Sequence, residues 1–444
     1  MSSILIKNCR IIQTTLPFEV LEGKDVYIED GKIVEVASSI AKKADDTIFA
    51  HGKTLMPGFV CGHHHYYSGL ARGMQISAGP QTDFIQILKE WWWRLDRGLA
   101  EESNYYSSLI CSMEAIASGT TAVIDHHASP SAISGSLSVM SKGMTDVGIR
   151  GIECYEVTDR NRGMKEVEEG VDENIRFAEE VDKMKKKDSS YLIEAMIGGH
   201  APFTIPDEGL KLMRKAEEKT KRGMHLHIAE DKYDVVWSHH FHNKDIVVRL
   251  DEFGLLTDNT LLVHGLHIND DEVDLINKRG VYFAHNARSN MNNHVGYCSR
   301  IGKIKNLIIG TDGCGGNMFE EIKIAFLKHK DEGGPWWPND FLVAETRANE
   351  LLSKYFNAKF GRVEKGYQAD LVLIDYQNPT PLLKENLAGH IVWGMSSNSV
   401  DTVIVNGKII LEGREFCNID KNKIFAESSK VAASLWKAVD KIKP

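Results

Sequence analysis

Between Thr54 and Gly313 the chain repeats one pattern: a short apolar, β-branched run, a polar residue or two at its end, then a longer stretch with helical spacing. Eight such runs are present, Leu55 to Val60, Thr120 to Ile124, Ile149 to Cys154, Tyr191 to Ile197, Met224 to Ile228, Thr260 to Val263, Val281 to Ala284 and Asn306 to Ile309. Strands alternating with helices read as βα units on a parallel sheet, and eight of them describe an α/β fold, a closed (β/α)8 TIM barrel. In that architecture the active site is built from residues just past the carboxyl ends of the strands. Here those ends are His63-His64-His65, Asp125-His126-His127, Glu156, His200, His227 with Glu230, His264, His285-Asn286 and Thr311-Asp312. The chain has 18 histidines, yet six of the eight runs finish in or beside one. A single histidine after a strand is ordinarily a hydrogen-bonded structural residue. Six in the same position are hard to explain as packing.

The flanks follow a different period. Ile4 to Ile12, Asp25 to Ile28, Lys32 to Val36, Ala369 to Asp375 and Val400 to Gly413 alternate as antiparallel strands, with turns at Asp30-Gly31, Asn406-Gly407 and Glu412-Gly413. The expected division is a small β-sandwich from residues 1–54 and 360–418, a barrel over 55–359, and a helix over 419–444 closing on the body.

A chain of 444 residues, 42% hydrophobic, can bury a large core, and its formal charge of −9 leaves no basic surplus for phosphate or anionic lipid. Small-molecule work is therefore expected, without nucleic acid or membrane. The amino terminus lacks the pattern of a secretory signal, and no run reaches the length of a membrane span. Seven scattered cysteines without a C-x-x-C pair argue against a disulfide framework and a zinc knuckle, and so point to a reducing cytoplasm.

The sharpest motif is His63-x-His65. Residues two apart on an extended strand share a face, so both imidazoles can reach one ion. His227 and Asp312 end two other runs, and three imidazoles with one carboxylate suit a single divalent metal: zinc first, with iron or manganese possible on ligand type. His225 shares the face of His227 and competes with it as the ligand. A metal held this way can activate a water, and protons must then be moved. Glu230, three residues past His227, is placed for that work; Asp312 can share the base role and His264 can hold the oxyanion.

Taken in order, Pro57-Gly58-Phe59-Val60-Cys61-Gly62-His63-His64-His65, His200-Ala201-Pro202-Phe203-Thr204, His227-Ile228-Ala229-Glu230, Val263-His264-Gly265, His285-Asn286-Ala287-Arg288-Ser289-Asn290 and Gly310-Thr311-Asp312-Gly313 resemble the motifs of the amidohydrolase superfamily, in its deaminase and chlorohydrolase-like branch. Trp92-Trp93-Arg94-Leu95-Asp96-Arg97 and Asp125-His126-His127-Ala128-Ser129-Pro130 are similar to the SsnA-type aminohydrolases, a branch associated with anaerobic purine breakdown. The His63 to Tyr67 run resembles oxopurine deaminases of the 8-oxoguanine type. The resemblance implies one metal on His63, His65, His227 and Asp312, proton transfer by Glu230 and His264, His200 over the substrate, and a homo-oligomer, dimeric or larger. Two positions depart from it: Ala287 stands where proline is usual, and Cys314-Gly315-Gly316-Asn317 follows Asp312 where serine or asparagine is common.

Tyr66, Arg72, Trp92, Trp93, Arg94, His126, His200 and Arg288 are the candidate substrate contacts, offering aromatic surfaces and donors for a flat, oxygenated heterocycle. For Trp91-Trp92-Trp93 a place in helix core is an equal alternative, and Arg94 and Arg97 can equally form surface pairs with Asp96 or Glu101. Hydrolytic deamination of an aminopurine-like ring is the expected activity. Ring opening of a cyclic amide uses the same activated water, and a metal-binding scaffold without activity is the third reading, which would need Glu230, His264 or Asp312 to be missing. There is no H-E-x-x-H, no G-x-S-x-G and no phosphate-binding loop.

Overall fold

A computed structural model describes residues 3–444. Both chain ends contribute to one sheet of nine strands. From the first end come β1 (Ser3–Gln13), β2 (Glu19–Glu29), β3 (Lys32–Ala37), β4 (Asp46–Phe49) and β5 (Thr54–Pro57). The barrel strands follow: β6 (Phe59–His64), β7 (Thr120–His127), β8 (Arg150–Tyr155), the interrupted pair β9 (Ile193–Ala195) and β10 (Ile197–Gly199), β11 (Met224–Ile228), β12 (Leu261–His264), β13 (Tyr282–His285) and β14 (Leu307–Ile309). The second end supplies β15 (Leu371–Ile374), β16 (Val400–Val405), β17 (Lys408–Glu412) and β18 (Glu415–Phe416).

The terminal strands from both chain ends form the small sheet domain expected of them. They run as one hydrogen-bonded sheet in the order β18-β17-β16-β15-β5-β1-β2-β3, with β4 beside β1, around an apolar core that includes Ile6, Ile11, Val26, Leu371 and Ile404. Asp30-Gly31 and Asn406-Gly407 have positive φ at both positions, which matches the right-handed twist of the hairpins they close. One boundary also moves. The run Leu55 to Val60 is two strands: Thr54–Pro57 pairs with β1 and β15, and only Phe59–His64 enters the barrel.

Every barrel pairing is parallel, and the ring closes where the amides of Thr311 and Asp312 donate to the His63 carbonyl at 2.8 and 3.0 Å. Gly62 and Gly310 permit that approach, since a Cβ on Gly62 would lie 2.7 Å from the Ile309 oxygen and one on Gly310 would lie 2.4 Å from Asn286 Oδ1. Strand alternation sends Val60, Ile124, Ile152, Leu261, Val263 and Ile308 inward, while Phe59, Val123, Leu226, Leu262 and Ile309 pack outward under the helices. The helix Ala348–Phe356 plugs the amino-terminal end of the ring with Leu351 and Leu352. At the carboxyl end the inward positions turn polar. The helix Lys421–Asp440 packs over that end, and among the described residues no helix is long and apolar enough to cross a membrane.

Candidate metal centre and active site

A register shift between Cys61 and His64 sets which histidines of the first motif face the interior. Plain alternation from Val60 and Gly62 would send His64 inward. The irregularity turns His63 and His65 in and leaves His64 stacked edge-on against Tyr66 at 4.9 Å. His227 arrives from β11 and Asp312 from just beyond β14. His264, Ala229 and Asp312 all have positive φ (70°, 43° and 55°), an unusual conformation for residues with a Cβ, and all three lie at the mouth.

The imidazole tautomers follow from their partners. His65 Nδ1 lies 2.7 Å from the His126 carbonyl and His227 Nδ1 lies 2.9 Å from the His200 carbonyl. A carbonyl can only accept, so each Nδ1 carries the proton and each Nε2 presents a lone pair. Those two Nε2 atoms face each other at 3.1 Å, and Asp312 Oδ1 lies 3.0 Å from His65 Nε2 and 3.8 Å from His63 Nε2. His63 Nε2 is buried with no partner, its Nδ1 being engaged by His225 Nε2 at 2.9 Å. His63, His65 and Asp312 bring three donor atoms close enough to share one cation, and His227 Nε2 stands beside that of His65. Bonds of about 2.0–2.2 Å in a tetrahedron put neighbouring donors roughly 3.3–3.6 Å apart, which the observed spacings bracket.

The electrostatics agree. Burial holds His63 and His227 well below the ordinary imidazole value, in the neutral form a ligand needs. Burial also opposes charging His65, but Asp312 and then Glu156 outweigh it and push the group up to about 9. A proton and a metal ion compete for the same place. His225 reaches His63 rather than Asp312, so it supports the ligand shell from below, the arrangement that orients metal-bound imidazoles.

Beside this cluster lie the groups that can move protons. Burial raises Glu230 to about 7, with His264 pulling down and Asp312 pushing up. Asn293 Nδ2 donates to Glu230 Oε1 at 3.3 Å. His264 is fixed through Nδ1 to Asn290 Oδ1 at 2.9 Å, and its Nε2 faces Glu230 at 3.5 Å and Asp312 at 3.6 Å. Ser289 donates to Asp312 Oδ2 at 2.6 Å. Ala287 is buried and starts the short helix Ala287–Asn292, so the loop is formed without the usual proline.

These groups open onto a cavity of about 310 Å³. His200 and Trp92 line it, as do Trp91 and Trp93, brought together by a π-helical turn over Leu88–Trp92. Five other expected contacts lie elsewhere. Arg72 points into solvent and pairs with Glu114 at 2.6 Å. Tyr66 begins a 3-10 turn that carries its ring into the core. Arg288 is turned away by Glu320 and Glu321. His126 lies beneath the ligands, its Nδ1 3.2 Å from Glu156. Arg94 is neither a contact nor a surface pair: it is buried and donates to the carbonyls of Ser77, Glu90, Val439 and Asp440, tying the tryptophan segment to the last helix.

The cavity also holds charged groups to which the sequence reading gave no such place, Glu156, Arg160 and Asp96. Glu156 is held below the usual carboxylate range by His126, His200 and His65 although burial pushes the other way. Its position at a strand end was the available signal. Asp96 and Arg160 are 64 residues apart and meet only in the folded chain.

The comparisons with known proteins fit this geometry. A 5-methylthioadenosine/S-adenosylhomocysteine deaminase of Thermococcus sibiricus is 29% identical over 416 residues, covering 92% of this chain and 94% of that protein. A 5'-deoxyadenosine deaminase of Methanopyrus kandleri is 30% identical over 436 residues, 94% of this chain and 96% of its own. The crystal structure of an adenosine deaminase from Xanthomonas campestris with bound zinc shares the fold, with a TM-score of 0.82, 23% identity and 98% of each chain covered. The Amidohydrolase family profile matches residues 54–410, the whole barrel included, and this chain belongs to the amidohydrolase family.

Proposed function

We propose that this chain is a metal-dependent aminohydrolase that replaces a ring amino group of a purine-type heterocycle with oxygen and releases ammonia. The observation that carries this is the pairing of a four-donor metal cluster with Glu230, a buried carboxylate raised to about 7, on the lip of the same cavity. A group poised near neutrality can both accept and return a proton. The deaminase names of the relatives support the same reaction class.

When bound by His63, His65, His227 and Asp312, a divalent ion, zinc on this donor set, would supply Lewis acidity to water and substrate. The protein's own groups do the rest. Glu230 takes the proton of the attacking water at one carboxylate oxygen, held in place by Asn293, and delivers it to the leaving nitrogen. His264 in its protonated form gives its Nδ1–H to Asn290 Oδ1 and turns its Nε2–H toward the same space, where it donates to the oxygen as charge builds there. A carbon–oxygen bond forms, a carbon–nitrogen bond breaks, and ammonia leaves. Trp92 and Trp93 wall the site with flat aromatic surface suited to a planar ring. All seven cysteines are free, which supports placement in a reducing cytoplasm.

The test is ammonia release from amino-substituted purine bases and nucleosides by the purified protein and by Glu230→Gln. The variant should keep its metal, by elemental analysis, and turn over roughly 10²- to 10⁴-fold more slowly. Undiminished activity removes Glu230 from the mechanism, and ring-opened acid in place of ammonia makes the enzyme a cyclic amidase.

A further inference from the structure

The wall that carries Trp93 contains buried polar atoms for which the reaction chemistry has no use. Asp96 is 2% exposed; its Oδ2 accepts from Arg160 Nη2 at 2.9 Å, while its Oδ1 has no partner. The Arg160 guanidinium lies 4.8 Å over the Trp93 ring and is steadied by Nε donating to Thr158 Oγ1 at 3.1 Å. Nη1 makes no hydrogen bond among the described residues. Trp93 Nε1 is a buried donor, also unpartnered. A buried polar atom left without a partner costs about 1–3 kcal/mol, so this set is built to be completed. Asp96 and Arg160 neutralise each other and do not call for a charged ligand. What they leave open is one acceptor beside donors.

We propose that Asp96, Arg160 and Trp93 form a reading head for the lactam edge of the substrate, an N–H beside a C=O, and so select oxopurine-type free bases over adenosine-type nucleosides. This rests on the reading of the site as a purine-type aminohydrolase and names its substrate class. The ring N–H donates to Asp96 Oδ1, and the ring carbonyl accepts from Arg160 Nη1 or Trp93 Nε1. Trp91 and Trp92 of the π-helical turn and Trp93 just after it bound the same side of the cavity, which suits a flat base more than a base with a sugar.

The experiment uses the full-length enzyme as purified with its metal. Ammonia release is measured with guanine, which has the lactam edge, against adenine and 5'-deoxyadenosine, which lack it. Binding of xanthine, which has the edge but no amino group to lose, is followed by calorimetry. Guanine is expected to exceed 5'-deoxyadenosine in kcat/KM by about a hundredfold or more, since a site built to hydrogen-bond a group strongly rejects analogues without it. Asp96→Asn should raise KM for guanine and Kd for xanthine roughly tenfold or more, leave kcat within about threefold, and leave metal content unchanged. If Asp96→Asn does not fold, Trp93→Phe, which deletes only the indole donor, should weaken xanthine binding by about threefold or more. A preference for 5'-deoxyadenosine, or xanthine binding indifferent to these variants, overturns the proposal. If no compound yields ammonia but xanthine binds and Asp96→Asn weakens it, the deamination reading falls and the reading head stands.

Discussion

The two ends of the barrel bury charge in opposite ways. At the amino-terminal end Arg150 forms a bidentate pair with Asp370 at 2.8 and 3.1 Å, Asp370 also accepts from the Asn406 amide at 2.7 Å, and the guanidinium lies 4.8 Å from the rings of Phe356 and Phe360. Pair, hydrogen bond and packing are all complete, and they join the barrel to the terminal sheet. At the mouth, polar atoms just as shielded are left incomplete: His63 Nε2, His264 Nε2, Asp96 Oδ1 and Trp93 Nε1 have no partner, and three residues with a Cβ hold positive φ. Depth of burial therefore does not separate these two groups of residues. Whether their polar atoms are satisfied does.

If that contrast is right, the mouth trades stability for function and the other end does not. Replacing His63 with alanine should remove the ion and lower activity by roughly a thousandfold or more. The same change relieves one of four crowded acceptors, so the metal-free variant should melt no lower than the metal-free parent. A variant that loses both activity and metal-free stability would make His63 a structural residue as well. Replacing Arg150 with methionine should do the reverse. It strands Asp370 and should cost about 3–5 kcal/mol in urea unfolding, while kcat stays within about twofold. A fall in kcat as large as the fall in stability would mean the two ends are mechanically coupled.

Glu345 sharpens the contrast, because it is a buried carboxyl on the helix Pro338–Thr346, outside the mouth, that is only partly satisfied. Burial raises it to about 8, the Val60 amide at 3.1 Å pulling the other way. An unfolded glutamate titrates near about 4.3, so the folded state holds the proton more tightly and the linked stability is present in full below that pH. It is lost as pH rises from there to about 8. Glu345→Gln keeps an oxygen for Val60 without titrating. It should match the parent in mildly acidic buffer and become the more stable of the two by pH 8, by an amount on the order of a few kcal/mol. Parallel melting curves for the two proteins across that range would show that Glu345 stays ionised.

The same contrast explains how much of the molecule was legible in the sequence. The barrel strands and the histidine and carboxylate cluster at the mouth were readable because both rest on short periods: the alternation of Leu261, Leu262 and Val263, the two-residue step from His63 to His65, and polar residues at fixed offsets past each strand. What escaped depends on events that interrupt a period or span the chain. Gly58 divides one apolar run between two sheets, and the slip between Cys61 and His64 reverses the phase of its strand. The terminal strands were legible, but alternation does not say which strand pairs with which, and β15 pairs with β5 from the opposite end of the chain. Arg72, Tyr66 and Arg288 lie near the right strand ends, yet local turns and the glutamates at 114, 320 and 321 point them elsewhere. Asp96 and Arg160 carry no local pattern, because their meaning lies in a contact across 64 positions.

The smallest effect is expected one layer below the metal, where the two modes of burial meet. His225 is fully buried and meets the apolar interior, yet its Nε2 engages His63 Nδ1 at 2.9 Å and its Nδ1 lies 3.5 Å from Cys154 Sγ. Removing it leaves the four proposed ligands in place but unfixes the ring and tautomer of one of them. Partners of this kind typically contribute about 10- to 100-fold in metal affinity. His225→Ala should therefore need more metal to reach the same occupancy, by competition with a chelator, and recover most of its kcat once saturated. His225→Gln retains a group able to bond to His63 Nδ1 and should fall between that variant and the parent. If His225→Ala stays inactive when saturated with metal, the layer beneath the ligands belongs to the catalytic machinery, and the boundary between satisfied structure and unsatisfied site lies deeper in the barrel than the mouth.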